Sequence, residues 1–332
     1  MFTDYWVIAQ LLAQMCALIL LLYASAFGVQ SLRYWLADSD AAFQLQLERQ
    51  NYLMSAIMQV GLWFQVLSLF IFLHTVNTHL PPLIKGAMCA TGTLGSNIWG
   101  YPLLALKSLA IFVYAIYLFT NYLDNHEPAY PLTPQKYIWL YPALGLSILD
   151  IYMLVQYFAH IEPNLIATCC SVDFNATPNN PEIFAQRGLY LKVLLGVWVA
   201  SFFILIAGNY TKLFQQNTTN ASIGLFLGGL YVFTAIYVLK YFFVKYIYGL
   251  PSHLCLFDIF WYKYYSIGYA LFGSYYAILI AMLGNVVWRV HLPKLSQKKD
   301  ALPALLRYVA QAGACISFIL PVLYWVFAGY SF

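Results

Sequence analysis

The feature that most constrains this chain is a series of eight long apolar runs, at about 6–30, 53–78, 100–122, 136–160, 188–210, 222–247, 264–289 and 303–330. A helix crossing the hydrocarbon of a bilayer needs about 20 such residues, because lipid offers no partner for an unpaired peptide group. The runs are continuous rather than alternating, which argues against a transmembrane β-barrel. Composition removes the soluble alternative. Of 332 residues, 62% are hydrophobic and 8% charged, against about 25% charged in a soluble domain. So few charges cannot cover a water-facing surface. The 29 tyrosines and 9 tryptophans suit helix ends at the headgroup level. The expected fold is all-α: a polytopic membrane helix bundle of about eight transmembrane helices, forming one integral membrane domain over 1–332. The first run follows MFTDY, with no basic leader and no small-residue cleavage site, and reads as a retained span.

Let X be the side of the N-terminus and Y the other; eight spans return the C-terminus to X. The Y side holds Arg33, Arg49, Lys136, Lys212, Arg289, Lys294, Lys298, Lys299 and Arg307, and the X side Lys85, Arg187, Lys192, Lys245 and Lys263. Lys107 and Lys240 fall inside the membrane. The excess on Y marks it as cytoplasmic. Cysteines give an independent sign. Cys16 and Cys315 lie within spans, where a thiol serves as a small apolar filler. Cys89, Cys169, Cys170 and Cys255 all fall in X connections, as an oxidising outer compartment would allow. Both signs place the termini and the cysteine-bearing loops outside, in the periplasm of a bacterial inner membrane.

The three X connections are THLPPLIKGAMCATGTLGSNIWGYP, HIEPNLIATCCSVDFNATPNNPEIFAQRG and YGLPSHLCLFDIFWYKYYSIGY. They are richer in chemistry than the short polar Y connections, so the working surface is expected on X. The first and third share an order of features: a Pro, a Met-Cys or Leu-Cys pair, a Trp, and a Gly-Tyr step into the next helix. A duplicated four-helix unit, a four-plus-four internal repeat, would produce this. Asn175-Ala-Thr177 in the second connection matches a glycosylation acceptor.

Four outer cysteines allow three pairings. Because Cys169 and Cys170 are adjacent, each is expected to reach a different loop, one to Cys89 and the other to Cys255. Such bridges would staple the X face into a rigid docking platform. A metal site is the sharper alternative. His253 and Cys255 stand two apart in SHLC, and His74, His79 and His160 lie near the same membrane face. Thiolate with imidazole suits copper or zinc, although the chain has no CxxC or HExxH spacing. His74 and His160, at the outer ends of their helices, offer a pair of haem ligands. The helix start SHLCLFDIF resembles that of the disulfide-bond-forming B proteins and the vitamin K epoxide reductases over a short stretch. Those quinone-linked families carry CxxC there, whereas the third residue after Cys255 is Asp258, so thiol exchange of their kind lacks its second cysteine.

Two charges lie deep within spans. Lys107 is seven residues into the third span and Asp150 ten short of the end of the fourth, on the order of 10 and 15 Å deep at 1.5 Å per residue. An isolated charge at that depth costs several kcal/mol, so the two are expected to pair. The pair would fix two helices together; the alternative is a proton relay opening toward a quinone pocket. Asp150 reads as the one acid inside a span.

Three functions follow. The first is an integral membrane subunit of a larger respiratory, electron-transfer or metalloenzyme complex, with lipids and other subunits as partners. The second is a membrane redox or metal enzyme using the outer Cys/His cluster. The third is a transporter, which would need more polar groups at the midplane. No phosphate loop, dinucleotide-binding glycine pattern or nucleic-acid motif is present.

Overall fold

The computed structural model describes residue 2 and residues 4–36, 41–162, 181–250, 253–295 and 301–329, the side chains of 181–187 left aside. The protein is an all-α polytopic bundle, and no strand occurs among the described residues. Eight helices are long and apolar enough to cross a membrane. They are α1 (Tyr5–Tyr34), α2 (Ala42–His79), α3 (Gly100–Asn125), α4 (Thr133–Ala159), α5 (Gly188–Tyr210), α6 (Thr218–Tyr248), α7 (Ile267–Lys294) and α8 (Ala301–Phe327). Helix α2 starts well before the apolar run because its first turns are polar. Gln44 is buried and donates to Glu48 at 3.2 Å, so the helix continues through AFQLQLERQ before its apolar part begins.

The helices are inside-out relative to a soluble protein. Helix α1 buries Gln10, Gln14, Ala17, Ser25, Gly28 and Ser31, while Ile8, Leu12, Met15, Ile19 and Leu22 face outward. Lipid gives apolar side chains no reason to hide, so small and polar residues make the helix contacts. At Gly28 an added Cβ would lie 2.8 Å from the Tyr137 ring.

Contacts gather the chain into two compact units. Unit 1 comprises Met1–His79, Leu94–Pro163 and Val290–Lys299, and unit 2 comprises Leu80–Thr93, Asn164–Arg289 and Asp300–Phe332. Several features recur in both. Helix α2 ends in a π-helical turn over Thr75–His79, and α6 carries one over Leu239–Phe243 near its own X end. Both Gly-Tyr steps lie at helix starts under tight packing. A Cβ at Gly100 would meet the Leu94 carbonyl oxygen at 2.2 Å, and one at Gly268 would meet Ile259 and the Phe260 ring at 2.9 Å. Glycine is required at both positions because the preceding turn packs directly on the helix backbone.

The interiors differ. Unit 1 is cross-linked by polar groups. Lys107 Nζ lies 2.8 Å from Asp150 Oδ2 and 2.7 Å from Ser68 Oγ, and Gln14 Nε2 donates to the same carboxylate oxygen at 3.0 Å and to Ser68. Four helices thus meet at one buried carboxylate. A second buried pair stands at the facing ends of α3 and α4, and Lys136, counted with the Y connections from sequence, lies inside α4. Lys136 Nζ sits 2.7 Å from Asp124 Oδ2, and both side chains are fully buried. Asp124 also accepts from the Leu132 N–H at 2.8 Å and from Thr133 Oγ1 at 2.7 Å, so it caps the start of α4. Lys136 further donates to Ser55 at 2.9 Å. Unit 2 packs mainly through rings. Phe318 stacks on Trp198 at 4.6 Å and on Phe202 at 4.1 Å between centroids, and Tyr231 Oη lies 2.8 Å from Ser317 Oγ.

Candidate functional site

The X-side part of unit 2 brings the first and third connections together. The first turns through Pro81–Leu83 and then forms a short helix over Ala90–Leu94, with Cys89 just before it. The third follows a left-handed turn at Gly249 (φ 66) and passes through two 3-10 turns, at Asp258–Phe260 and Tyr262–Tyr264. Only a residue tolerant of positive φ closes α6 in this way, and glycine does so without strain.

Cys89 and Cys255 end up buried, with sulfurs 3.3 Å apart. Cys255 Sγ also lies 3.4 Å from Thr91 Oγ1 and accepts the Phe257 N–H at 3.4 Å. The loop is braced from below, where Tyr248 Oη donates to the Cys255 carbonyl at 2.7 Å. Asp258 completes the group: one ligand atom from each of Cys89, Cys255 and Asp258 lies within 4.8 Å of the others. Its Oδ2 is 2.5 Å from His253 Nε2, and the Tyr248 ring packs on the imidazole at 4.7 Å between centroids. The hydrogen bond to Asp258 raises the His253 pKa, against the lowering effect of burial. His253 thus bonds the carboxylate, while the three converging atoms come from Cys89, Cys255 and Asp258.

Two sulfurs and a carboxylate share one preference. Each can carry negative charge, and charging them all at this separation is unfavourable without a cation among them. A thiophilic divalent or monovalent ion removes that conflict.

The other candidates fall elsewhere. Cys169 and Cys170 lie outside the described residues, as does the Asn175-Ala-Thr177 acceptor, so bridges through them are not described; Cys89 meets Cys255 directly. His74 packs on Trp6 and His79, with centroids 5.2 and 5.6 Å away, and exposed His160 bonds the Gln156 carbonyl at 2.9 Å. Among the described residues neither belongs to the converging ligand group. Lys107 and Asp150 form the ion pair of unit 1 described above. In sequence, Asp258 stands where a CxxC would carry its second cysteine, which hides it as a candidate ligand. The Cys-x-x-Asp spacing was itself the available signal. Thr91 and Tyr248 carried none, since their roles arise only when the two connections meet.

No protein-family model, curated protein or solved structure matches the chain, so the reading of this site rests on its own geometry.

Proposed function

We propose that the chain is a membrane-embedded metal-handling protein. Its outer face holds one thiophilic ion, copper(I) or zinc, through Cys89, Cys255 and Asp258. The convergence of those three ligand atoms within 4.8 Å carries the reading. Three protein ligands leave a fourth coordination position open, as sites that exchange their ion or act on a bound molecule require. His253 holds the Asp258 carboxylate in place, the supporting role that outer hydrogen-bond partners play around metal ligands. The excess of Lys and Arg on Y supports an outer position for this site.

The 3.3 Å sulfur separation favours a second reading. Oxidation of the same pair would staple the two connections of unit 2 and give a rigid X face for docking other subunits of a membrane complex. One experiment separates the two. The full chain, purified in mild detergent under anaerobic conditions, is analysed for metal and for alkylatable thiols. The metal reading predicts about one ion per chain, lost in Cys255→Ser and in Cys89→Ser and weakened by at least about tenfold in Asp258→Asn. Metal-free protein whose two thiols resist alkylation until reduced would instead establish the staple.

A further inference from the structure

Unit 2 also has a basic pocket at its Y end, far along the chain from the cysteine site. A cavity of about 410 Å³ opens among Lys212, Gln215, Trp288, Arg289, Pro303 and Arg307. These residues come from the α5–α6 turn, the last turns of α7 and the first turns of α8, so four helix ends converge there. Three cations line the cavity, and no acid does among the described residues. The two arginines rest on rings. The Arg289 guanidinium lies 4.4 Å over the Trp288 ring and the Arg307 guanidinium 5.2 Å over the Tyr308 ring. Lys212 occupies a left-handed backbone position (φ 57) that a glycine or asparagine would fill with less strain. Gln215, 8% exposed, donates to the Pro303 carbonyl, which fixes the α5–α6 turn against the start of α8. Arg289 Nε is buried with no hydrogen-bond partner.

Three positive groups held around one opening repel one another, and an orphaned guanidinium nitrogen loses hydration for nothing in return. An anion with several acceptor oxygens resolves both problems, and a phosphate matches the guanidinium fork. The N-terminal end of the α8 dipole adds favourable field at Pro303 and Ala304. The pocket lies within about two turns of the ends of α7 and α8, the depth of the headgroup layer, and Trp288 supplies an apolar wall beside it.

The geometry points to a binding site for a phosphate-bearing anion, held by Arg289, Arg307 and Lys212, with an anionic phospholipid of the Y-side leaflet as its source. Basic pockets between helix ends on the cytoplasmic side are suited to such headgroups. The test uses the delipidated full chain in detergent. Native mass spectrometry is read while phosphatidylglycerol, phosphatidylcholine or inorganic phosphate is titrated, and thermal unfolding is followed in parallel. One phosphatidylglycerol should be retained in preference to phosphatidylcholine, with a rise in melting temperature. Arg289→Gln and Arg307→Gln should each weaken that retention about fivefold, and Arg289→Lys less, while Lys192→Gln leaves it unchanged. Competition by inorganic phosphate at millimolar concentration would keep the phosphate site but make its source a soluble ion. The same lipid retention and melting shift for phosphatidylcholine as for phosphatidylglycerol would overturn the proposal. So would undiminished retention of phosphatidylglycerol in the two Gln variants. The lipid-induced shift of the wild-type protein decides the matter even where a variant does not fold.

Discussion

Units 1 and 2 face one problem, holding apolar helices together in a solvent as apolar as they are, and they solve it differently. Unit 1 contains the buried ion pairs Lys107–Asp150 and Lys136–Asp124, together with buried Gln10, Gln14, Asn51, Gln65 and Asn121. The described residues of unit 2 bury no Lys, Arg, Asp or Glu; hydroxyls and stacked rings fill its interior, with Asn209, Gln215 and Asn285 its buried amides. Its charged chemistry lies at the ends instead: the Cys89–Cys255–Asp258 group at X and the basic pocket at Y. Where no hydrophobic drive pulls helices together, polar contacts set register. Unit 1 has spent its polar residues on register, whereas unit 2 keeps them where ligands can reach.

The contrast can be broken or sharpened by substitution. The largest effect is expected from Asp124→Asn or Lys136→Met, each leaving one buried charge unpaired at a cost of about 3–5 kcal/mol. Asp124→Asn should be the worse of the two, because that carboxylate also caps α4. Unfolding in mixed detergent micelles measures both. Next comes Gly100→Ala, whose Cβ would meet backbone at 2.2 Å and should cost about 3 kcal/mol. Gly229→Ala has nothing within 4 Å of the new Cβ and should be neutral or stabilising by up to about 1 kcal/mol. In unit 2, Tyr231→Phe removes the hydroxyl contact with Ser317 and should cost about 1 kcal/mol in the same assay. A loss there as large as that of Asp124→Asn would erase the distinction between the units. Smallest is the paired change Lys107→Met with Asp150→Leu, expected within about 1 kcal/mol of wild type, because apolar residues of similar volume commonly replace a buried pair without loss. If the paired variant is as unstable as either single one, the Gln14–Ser68 network needs the carboxylate itself.

The fold was legible because an apolar run of membrane length admits one solution. Lys107 and Asp150 were legible for the same reason, since charges so far from any span end must find each other. Asp124 and Lys136 were not: both stand near span boundaries, where a charge reads as solvated, and burial comes from α4 folding back so that Asp124 caps it. The cysteine pair was hidden by arithmetic. Adjacent Cys169 and Cys170 looked like natural partners for the two other loops, while the meeting of Cys89 with Cys255 joins residues 166 positions apart. The basic residues of the Y connections had a clear meaning as an orientation signal. Nothing in their spacing showed that Lys212, Arg289 and Arg307 converge on one cavity.

The central claim is that Cys89, Cys255 and Asp258 bind one thiophilic ion. X-ray absorption at the copper and zinc edges of the purified full chain tests it most directly. Two sulfurs at about 2.3 Å and at least one oxygen or nitrogen at about 2.0–2.2 Å are expected, with the metal-edge signal itself lost in Cys255→Ser. A first shell without sulfur, or an edge signal unchanged in that variant, would contradict it.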